Sequence, residues 1–147
     1  MASVYRMALM ACIALGTTCA ADPTAYTGTW KLDVAKSKFQ SPAKKAHTIT
    51  FANGVATSEE TLSDDTQRRW SHKMGDGQET PISGLEDATV TARRIDDRTV
   101  THVWKMGDRT SSGRGVVSAD GKTMTYTLTG STPEGRPFTD VLVFEKQ

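Results

Sequence analysis

Tight-turn signals recur at short intervals along this chain, and they constrain its fold more than any other feature. Asn53-Gly54, Asp120-Gly121 and Glu134-Gly135 each separate two stretches rich in Thr, Val, Ile, Tyr or Trp. Similar signals stand at Gly75-Asp76-Gly77, Asp96-Asp97 and Gly107-Asp108. Turn residues between strand-forming runs are typical of antiparallel hairpins. Because a long antiparallel meander tends to close on itself, the sequence predicts an all-β barrel.

Apolar and polar residues alternate with a period of two, which is typical of strands that bury one face. We predict eight to ten strands, near residues 27–32, 45–52, 55–62, 66–74, 79–83, 88–95, 98–106, 110–118, 122–130 and 137–146. The segment Asp33 to Ala43, which contains Ser41-Pro42, is expected to connect the first two strands and has room for one helical turn. Gly113 and Gly115, two apart on one strand, predict a bend rather than the close approach of a ligand.

The first twenty residues have the pattern of an export signal. Arg6 is followed by an apolar run from Met7 to Leu15 and then by small residues up to Ala21. This order of charged, apolar and small segments is typical of a cleavable signal peptide. The apolar run is too short for a membrane span, which needs about 20 residues. We therefore predict a signal peptide over 1–20, a barrel domain over 21–147, and a periplasmic or secreted protein without a membrane span.

Both cysteines, Cys12 and Cys19, fall within the predicted signal, so the exported domain depends on its core rather than on a disulfide. Lipidation is a less favoured alternative, because Cys19 lacks a preceding large aliphatic residue and Cys12 lies close to Arg6. Removal of Arg6 with the signal leaves seventeen basic residues against seventeen acidic ones. This balance argues against nucleic acid or an anionic membrane as a partner, since both are bound through a basic face.

Large apolar side chains and histidines share the faces that we expect to point inward. These candidate ligand-binding residues are Trp70, His72, His102, Trp104, Met124 and Tyr126. Ligand pockets are mostly apolar with a few placed polar groups, and this set has that character. We predict that a small apolar or amphipathic molecule binds inside, with His72 or His102 offering a hydrogen bond. A solid core remains the alternative, because side chains can fill an eight-stranded barrel whereas ten strands leave room.

A second interpretation is an enzyme, a lyase, isomerase or cyclase, that acts on a small hydrophobic substrate without a cofactor. Its candidate catalytic residues are His72, His102, Asp140 and Arg114. Asp140 has apolar neighbours on its own strand face, so a buried Asp140 needs a partner such as Arg114 or a raised pKa. The simpler expectation places Asp140 at the barrel rim in solvent. A third interpretation is a packed envelope protein that binds another protein through its outer surface.

The three histidines, His47, His72 and His102, lie on separate predicted strands, so a barrel would allow them to converge on a metal ion or a haem. Their spacing does not support such a site, because the sequence contains no His-x-His or His-x-x-x-His pair. Serine-nucleophile, phosphate-binding and calcium-loop motifs are also absent from the sequence. We therefore predict neither a metal ion nor another cofactor.

The stretch from Gly28 to Phe39, which opens Gly-Thr-Trp, resembles the beginning of small exported bacterial lipocalin-like proteins. The resemblance includes residues 117–125 and 143–147 and covers nearly all of the predicted domain. It implies a lipocalin-like barrel in which Trp30 plugs the closed end and a small apolar molecule is bound, although a few such barrels are enzymes. Two features depart from better-known lipocalins: a Thr-Asp-Tyr motif is missing, and Lys146 stands where an arginine usually covers the tryptophan.

Overall fold

The computed structural model describes residues 24–147, so the predicted signal peptide over 1–20 lies outside the described residues. Residues 24–147 form ten antiparallel β-strands and contain no helix able to cross a bilayer. The strands are β1 (Gly28–Lys38), β2 (Lys44–Ala52), β3 (Val55–Leu62), β4 (Gln67–Lys73), β5 (Asp76–Pro81), β6 (Ala88–Arg94), β7 (Thr99–Met106), β8 (Arg109–Val117), β9 (Thr123–Ser131) and β10 (Pro137–Lys146). The predicted all-β antiparallel meander is confirmed.

The ten strands form one sheet in the order β4-β3-β2-β1-β10-β9-β8-β7-β6-β5. Strands that follow each other in sequence therefore pair, except β4 and β5, and β1 also pairs with β10, where Trp30 lies opposite Lys146. Between the two sheet edges, Ser71 of β4 and Ser83, which follows the end of β5, form an isolated bridge and exchange two backbone hydrogen bonds of 2.9 Å. The barrel is thus nearly closed, with one seam between β4 and β5.

The β2–β3 hairpin shows how turn chemistry sets the position of inward side chains. Asn53 and Gly54 both have positive φ, 51° and 74°, as a type I′ turn requires. This turn pairs Phe51 with Ala56, and both side chains are buried inside the barrel. Because side chains alternate along a strand, His47 and Ser58 point inward as well.

The first strand is longer than predicted, and the expected helical turn within residues 33–43 is absent. β1 continues to Lys38, with a bulge between Asp33 and Lys38 in its pairing with β10. The Ser37 hydroxyl donates to the Asp33 carbonyl oxygen at 2.7 Å and accepts from the Val143 backbone nitrogen at 3.0 Å. These bonds hold the bulged segment against β10, so only residues 39–43 remain to connect β1 with β2.

A cluster of buried aromatic side chains closes one end of the barrel. Trp30 is fully buried there and packs with Tyr26, Phe51 and Phe144. The Trp30 Nε1–H donates to the Tyr26 carbonyl oxygen at 2.7 Å. The Lys146 ammonium lies 5.3 Å from the centre of the Trp30 ring, within the range of a cation–π contact. This closed end holds the start of β1 and the end of β10 together.

Candidate functional site

The barrel contains a cavity of about 250 Å³ that opens at the end opposite Trp30. Arg68, Met106 and Arg109 are exposed parts of its wall, and they lie next to the β3–β4 and β7–β8 turns. Deeper in the barrel the wall is buried, as at Phe51 and Phe144. We call the exposed end the mouth. Of the two alternatives left open by the sequence, cavity or solid core, the ten strands form the cavity.

The structure brings the six candidate ligand-binding side chains to this one cavity. Its wall includes Trp70, His72, His102, Trp104, Met124 and Tyr126. The His72 and His102 rings meet edge to face with their centres 5.4 Å apart. Trp104 stacks on His102 with 5.0 Å between ring centres and 17° between ring planes. The period-two alternation was therefore a sound guide to which residues share the interior.

Other lining residues were not among the candidates. His47 and Phe51 both line the cavity. They are four residues apart on β2, so the alternation of side chains along a strand would have placed both on the inward face. Lys44 and Glu60 also line the cavity and form an ion pair. No sequence signal pointed to that pair, because a charged residue near a strand end usually lies in solvent.

A chain of hydrogen bonds crosses the cavity wall. The Trp104 Nε1–H donates to the Tyr126 hydroxyl oxygen at 2.9 Å, and that oxygen lies 3.1 Å from Nδ1 of His102. Gly113 makes this arrangement possible, because a Cβ atom at that position would overlap the Tyr126 hydroxyl. The prediction for Gly113 was a bend in the strand, whereas the structure gives it this packing role.

Several buried nitrogen atoms in the wall lack a hydrogen-bond partner among residues 24–147. They are both ring nitrogens of His47 and His72, Nε1 of Trp70 and Nε2 of His102. Buried polar side-chain atoms are paired in the large majority of cases, so each exception calls for an explanation. All of these exceptions belong to residues that line one cavity.

The cavity histidines are uncharged at neutral pH. Burial lowers the pKa of His47 to about 3, with the positive charge of Lys44 as a second cause. Burial lowers the pKa of His102 to about 3 and that of His72 to about 4, and the neighbouring His72 also lowers the pKa of His102. Burial likewise raises the pKa of the Tyr126 hydroxyl. The deep interior therefore offers neutral polar groups rather than charges.

The three histidines share the cavity without forming a cluster that suits a metal ion. His47 packs against Trp70 and Phe144, with ring centres 5.6 and 5.4 Å apart. Within residues 24–147, no group of three or more His, Cys, Asp or Glu side chains is arranged to hold a metal ion. These imidazoles are therefore better described as neutral hydrogen-bonding groups.

Of the four candidate catalytic residues, His72 and His102 meet in the cavity, whereas Asp140 and Arg114 do not line it. Asp140 is 1% exposed, so the expectation that it is solvated at the rim was wrong. Its carboxylate accepts from the backbone nitrogens of Gln40, at 2.6 Å, and Ser41, at 3.0 Å, and from the Ser41 hydroxyl. Arg114 is exposed and forms no ion pair with Asp140. Asp140 thus holds the β1–β2 connection and does not line the cavity.

We expect Asp140→Ala to lower the free energy of unfolding by about 2–4 kcal/mol, because it leaves the donors of Gln40 and Ser41 without their charged acceptor. Asp140→Asn retains one oxygen and should cost less. Urea unfolding followed by circular dichroism measures both effects. Asp108→Ala, in an exposed turn, is the matched control and should stay within about 0.5 kcal/mol of the wild type. Equal effects of Asp140→Ala and Asp108→Ala would contradict this role.

No protein-family model matches the sequence, and no curated protein matches it either. Solved structures do resemble the fold. A Schistosoma mansoni fatty acid binding protein in complex with arachidonic acid matches with a TM-score of 0.54 at 14% identity, over 85% of this chain and 98% of that one. Fatty-acid-binding protein 1 of Echinococcus granulosus matches with a TM-score of 0.52 at 12% identity, over 83% and 97%.

The wild-type fluorescent protein UnaG is similar to the same extent, with a TM-score of 0.53 at 13% identity, over 83% of this chain and 97% of that one. Sequence identities this low carry no information about ligand or activity, so the likeness concerns the fold alone. The chain therefore shares the fold of its nearly closed ten-stranded barrel with these solved structures.

Proposed function

We propose that this protein is exported and binds a small hydrophobic or amphipathic molecule inside its barrel. The observation that carries the proposal is the cavity of about 250 Å³, whose wall combines apolar side chains with buried, unpaired nitrogens. A guest with polar atoms would give those nitrogens partners while its apolar surface leaves water. Export is proposed from the signal-like pattern of residues 1–20.

The size of the cavity limits the guest. Ligand pockets usually measure about 300–1,000 Å³, so a cavity of about 250 Å³ suits a small molecule. The Schistosoma mansoni protein, which has a similar fold, was solved in complex with arachidonic acid, and this supports a hydrophobic ligand for the present barrel.

The charges at the mouth favour an amphipathic guest. Arg68 and Arg109 line the mouth, and neither forms an ion pair with another residue of the described chain. Lys44 is already paired with Glu60. A guest that places its apolar part beside Phe144 and an acidic or polar part at the mouth would match both environments.

We expect Ala56→Leu to weaken binding of an interior guest at least tenfold, because the larger side chain occupies the cavity beside His72. Val55→Leu is the matched control: Val55 precedes Ala56 on β3, is 37% exposed and points outward, so binding should be unchanged. Calorimetric titration with a panel of aliphatic acids, aromatic compounds, steroids and haem measures the affinities. A guest that binds both variants with wild-type affinity would place the site outside the cavity.

A further inference from the structure

The hydrogen-bond chain in the wall favours one of the two neutral tautomers of His102. A tryptophan N–H only donates, so the Tyr126 oxygen accepts from Trp104. The Tyr126 hydroxyl hydrogen is then available for Nδ1 of His102, 3.1 Å away, which accepts it. A neutral imidazole carries one N–H. Because this pairing gives the buried Tyr126 hydroxyl an acceptor for its hydrogen, we assign the proton of His102 to Nε2, the buried nitrogen that has no partner among residues 24–147.

The unpaired groups of the cavity are mainly donors. Trp70 Nε1–H and His102 Nε2–H can only donate, and neither has an acceptor among residues 24–147. Neutral His47 and His72 each add one N–H donor and one acceptor nitrogen. A purely aliphatic guest would leave all of these donors unpaired, whereas a guest with oxygen acceptors would pair them.

Aromatic rings shape the same part of the wall. His102 stacks on Trp104, and His72 meets Trp104 edge to face with 5.1 Å between ring centres. Trp70 contacts the ring of His47. Such rings pack well against the faces and edges of another flat ring. The donors and the flat surfaces belong to the same residues, so one guest would meet both.

We infer that the guest is a flat, aromatic or conjugated molecule bearing a carbonyl-type oxygen, which accepts hydrogen bonds from Trp70 and His102. This inference rests on the proposed function and narrows it to a class of ligand. Tyr126 acts as a positioning residue, because it holds His102 in the tautomer that donates. Gly113 leaves the space that Tyr126 needs.

Two ligands with the same two-ring skeleton test the inference: tetralin, which has no polar atom, and 1-tetralone, which has one ketone oxygen. Calorimetric titration should show the ketone binding at least tenfold more tightly than the hydrocarbon. Trp70→Phe should reduce this preference about fivefold or more because the indole donor is lost, and the affinity of the same variant for tetralin is the reference for that ratio. Thr127→Val, on the outer face of β9, is the control and should change neither affinity.

The possible failures are distinct. If tetralin binds as tightly as 1-tetralone, the inference is wrong while the interior site stands. If neither ligand binds, and none of the aliphatic acids, aromatic compounds, steroids and haem binds either, the proposed function is wrong as well. A ketone preference that persists in Trp70→Phe and in Tyr126→Phe would show that other groups recognise the oxygen.

Nuclear magnetic resonance of ¹⁵N-histidine-labelled protein gives a readout that does not depend on any ligand. The wild type should show His102 protonated at Nε2 and unprotonated at Nδ1 at neutral pH. Tyr126→Phe should remove this single-tautomer signature and lower the ketone preference. A wild-type His102 protonated at Nδ1 would overturn the assignment. If Tyr126→Phe does not fold, the wild-type spectrum still tests the tautomer of His102, and Trp70→Phe still tests the preference for the ketone.

Discussion

Acidification from pH 6.5 to pH 5 is expected to lower the free energy of unfolding by about 5 kcal/mol. His47, His72 and His102 have folded-state pKa values of about 3, 4 and 3, below the value of about 6.5 expected in the unfolded chain. The unfolded chain therefore binds more protons in this window. Each histidine destabilises the fold by up to about 1.4 kcal/mol per pH unit.

The direction of the effect follows from these pKa values. The stabilisation that comes from keeping each imidazole neutral is fully present above pH 6.5, and it is lost as the pH falls toward the folded-state pKa. Carboxylates contribute mainly at lower pH: Asp33, Asp64 and Asp96, for example, have pKa values below 3.8. The window from pH 6.5 to 5 thus reports chiefly on histidines.

Urea unfolding at several pH values measures the loss. A whole domain is stable by about 5–15 kcal/mol, so a loss of this size approaches unfolding. His72→Gln should reduce the pH dependence across the window by about a third, because one of three titrating groups is removed. A free energy of unfolding that stays constant from pH 6.5 to 5 would mean that the imidazoles accept protons inside the barrel, either from water or beside Glu60, which lies opposite His47.

The alternation of side chains made the interior predictable, but contacts between distant segments did not follow from it. The faces that carry Trp70, His102 and Tyr126 were identified because a strand presents every second residue to the same side. Asp140 was misplaced because its partners, Gln40 and Ser41, lie about a hundred residues earlier in the chain. Judged from its sequence neighbours alone, Asp140 looked like a solvent-exposed residue near the beginning of a strand.

At Gly113 and between Asp33 and Lys38, the sequence was compatible with more than one local structure. A glycine within a strand indicates a bend or a close approach, and the Tyr126 hydroxyl that approaches Gly113 comes from the next strand. The residues between Asp33 and Lys38 are polar enough for a helical turn, but pairing with β10 keeps them extended. The predicted signal peptide, periplasmic or secreted location and bacterial lipocalin-like resemblance stay predictions.

Trp30→Ala is expected to lower the free energy of unfolding by about 3–5 kcal/mol, the usual cost of removing a large aromatic side chain from a core. Trp30 is fully buried, and the cavity left by truncation would lie among Tyr26, Phe51 and Phe144. The substitution also removes the donor to the Tyr26 carbonyl oxygen, which leaves that buried acceptor unpaired. Urea unfolding measures the loss.

Two milder variants separate the contributions at this closed end. Trp30→Phe keeps most of the apolar contact and loses the hydrogen bond, so it should cost less than Trp30→Ala. Lys146→Ala removes the ammonium above the ring and should cost about 0.5–1 kcal/mol. In the Trp30→Ala background the Lys146 substitution should cost less, because the ring it covers is gone. If Trp30→Ala proved no more destabilising than Lys146→Ala, the barrel would have to be closed by the pairing of β1 with β10 rather than by the indole between them.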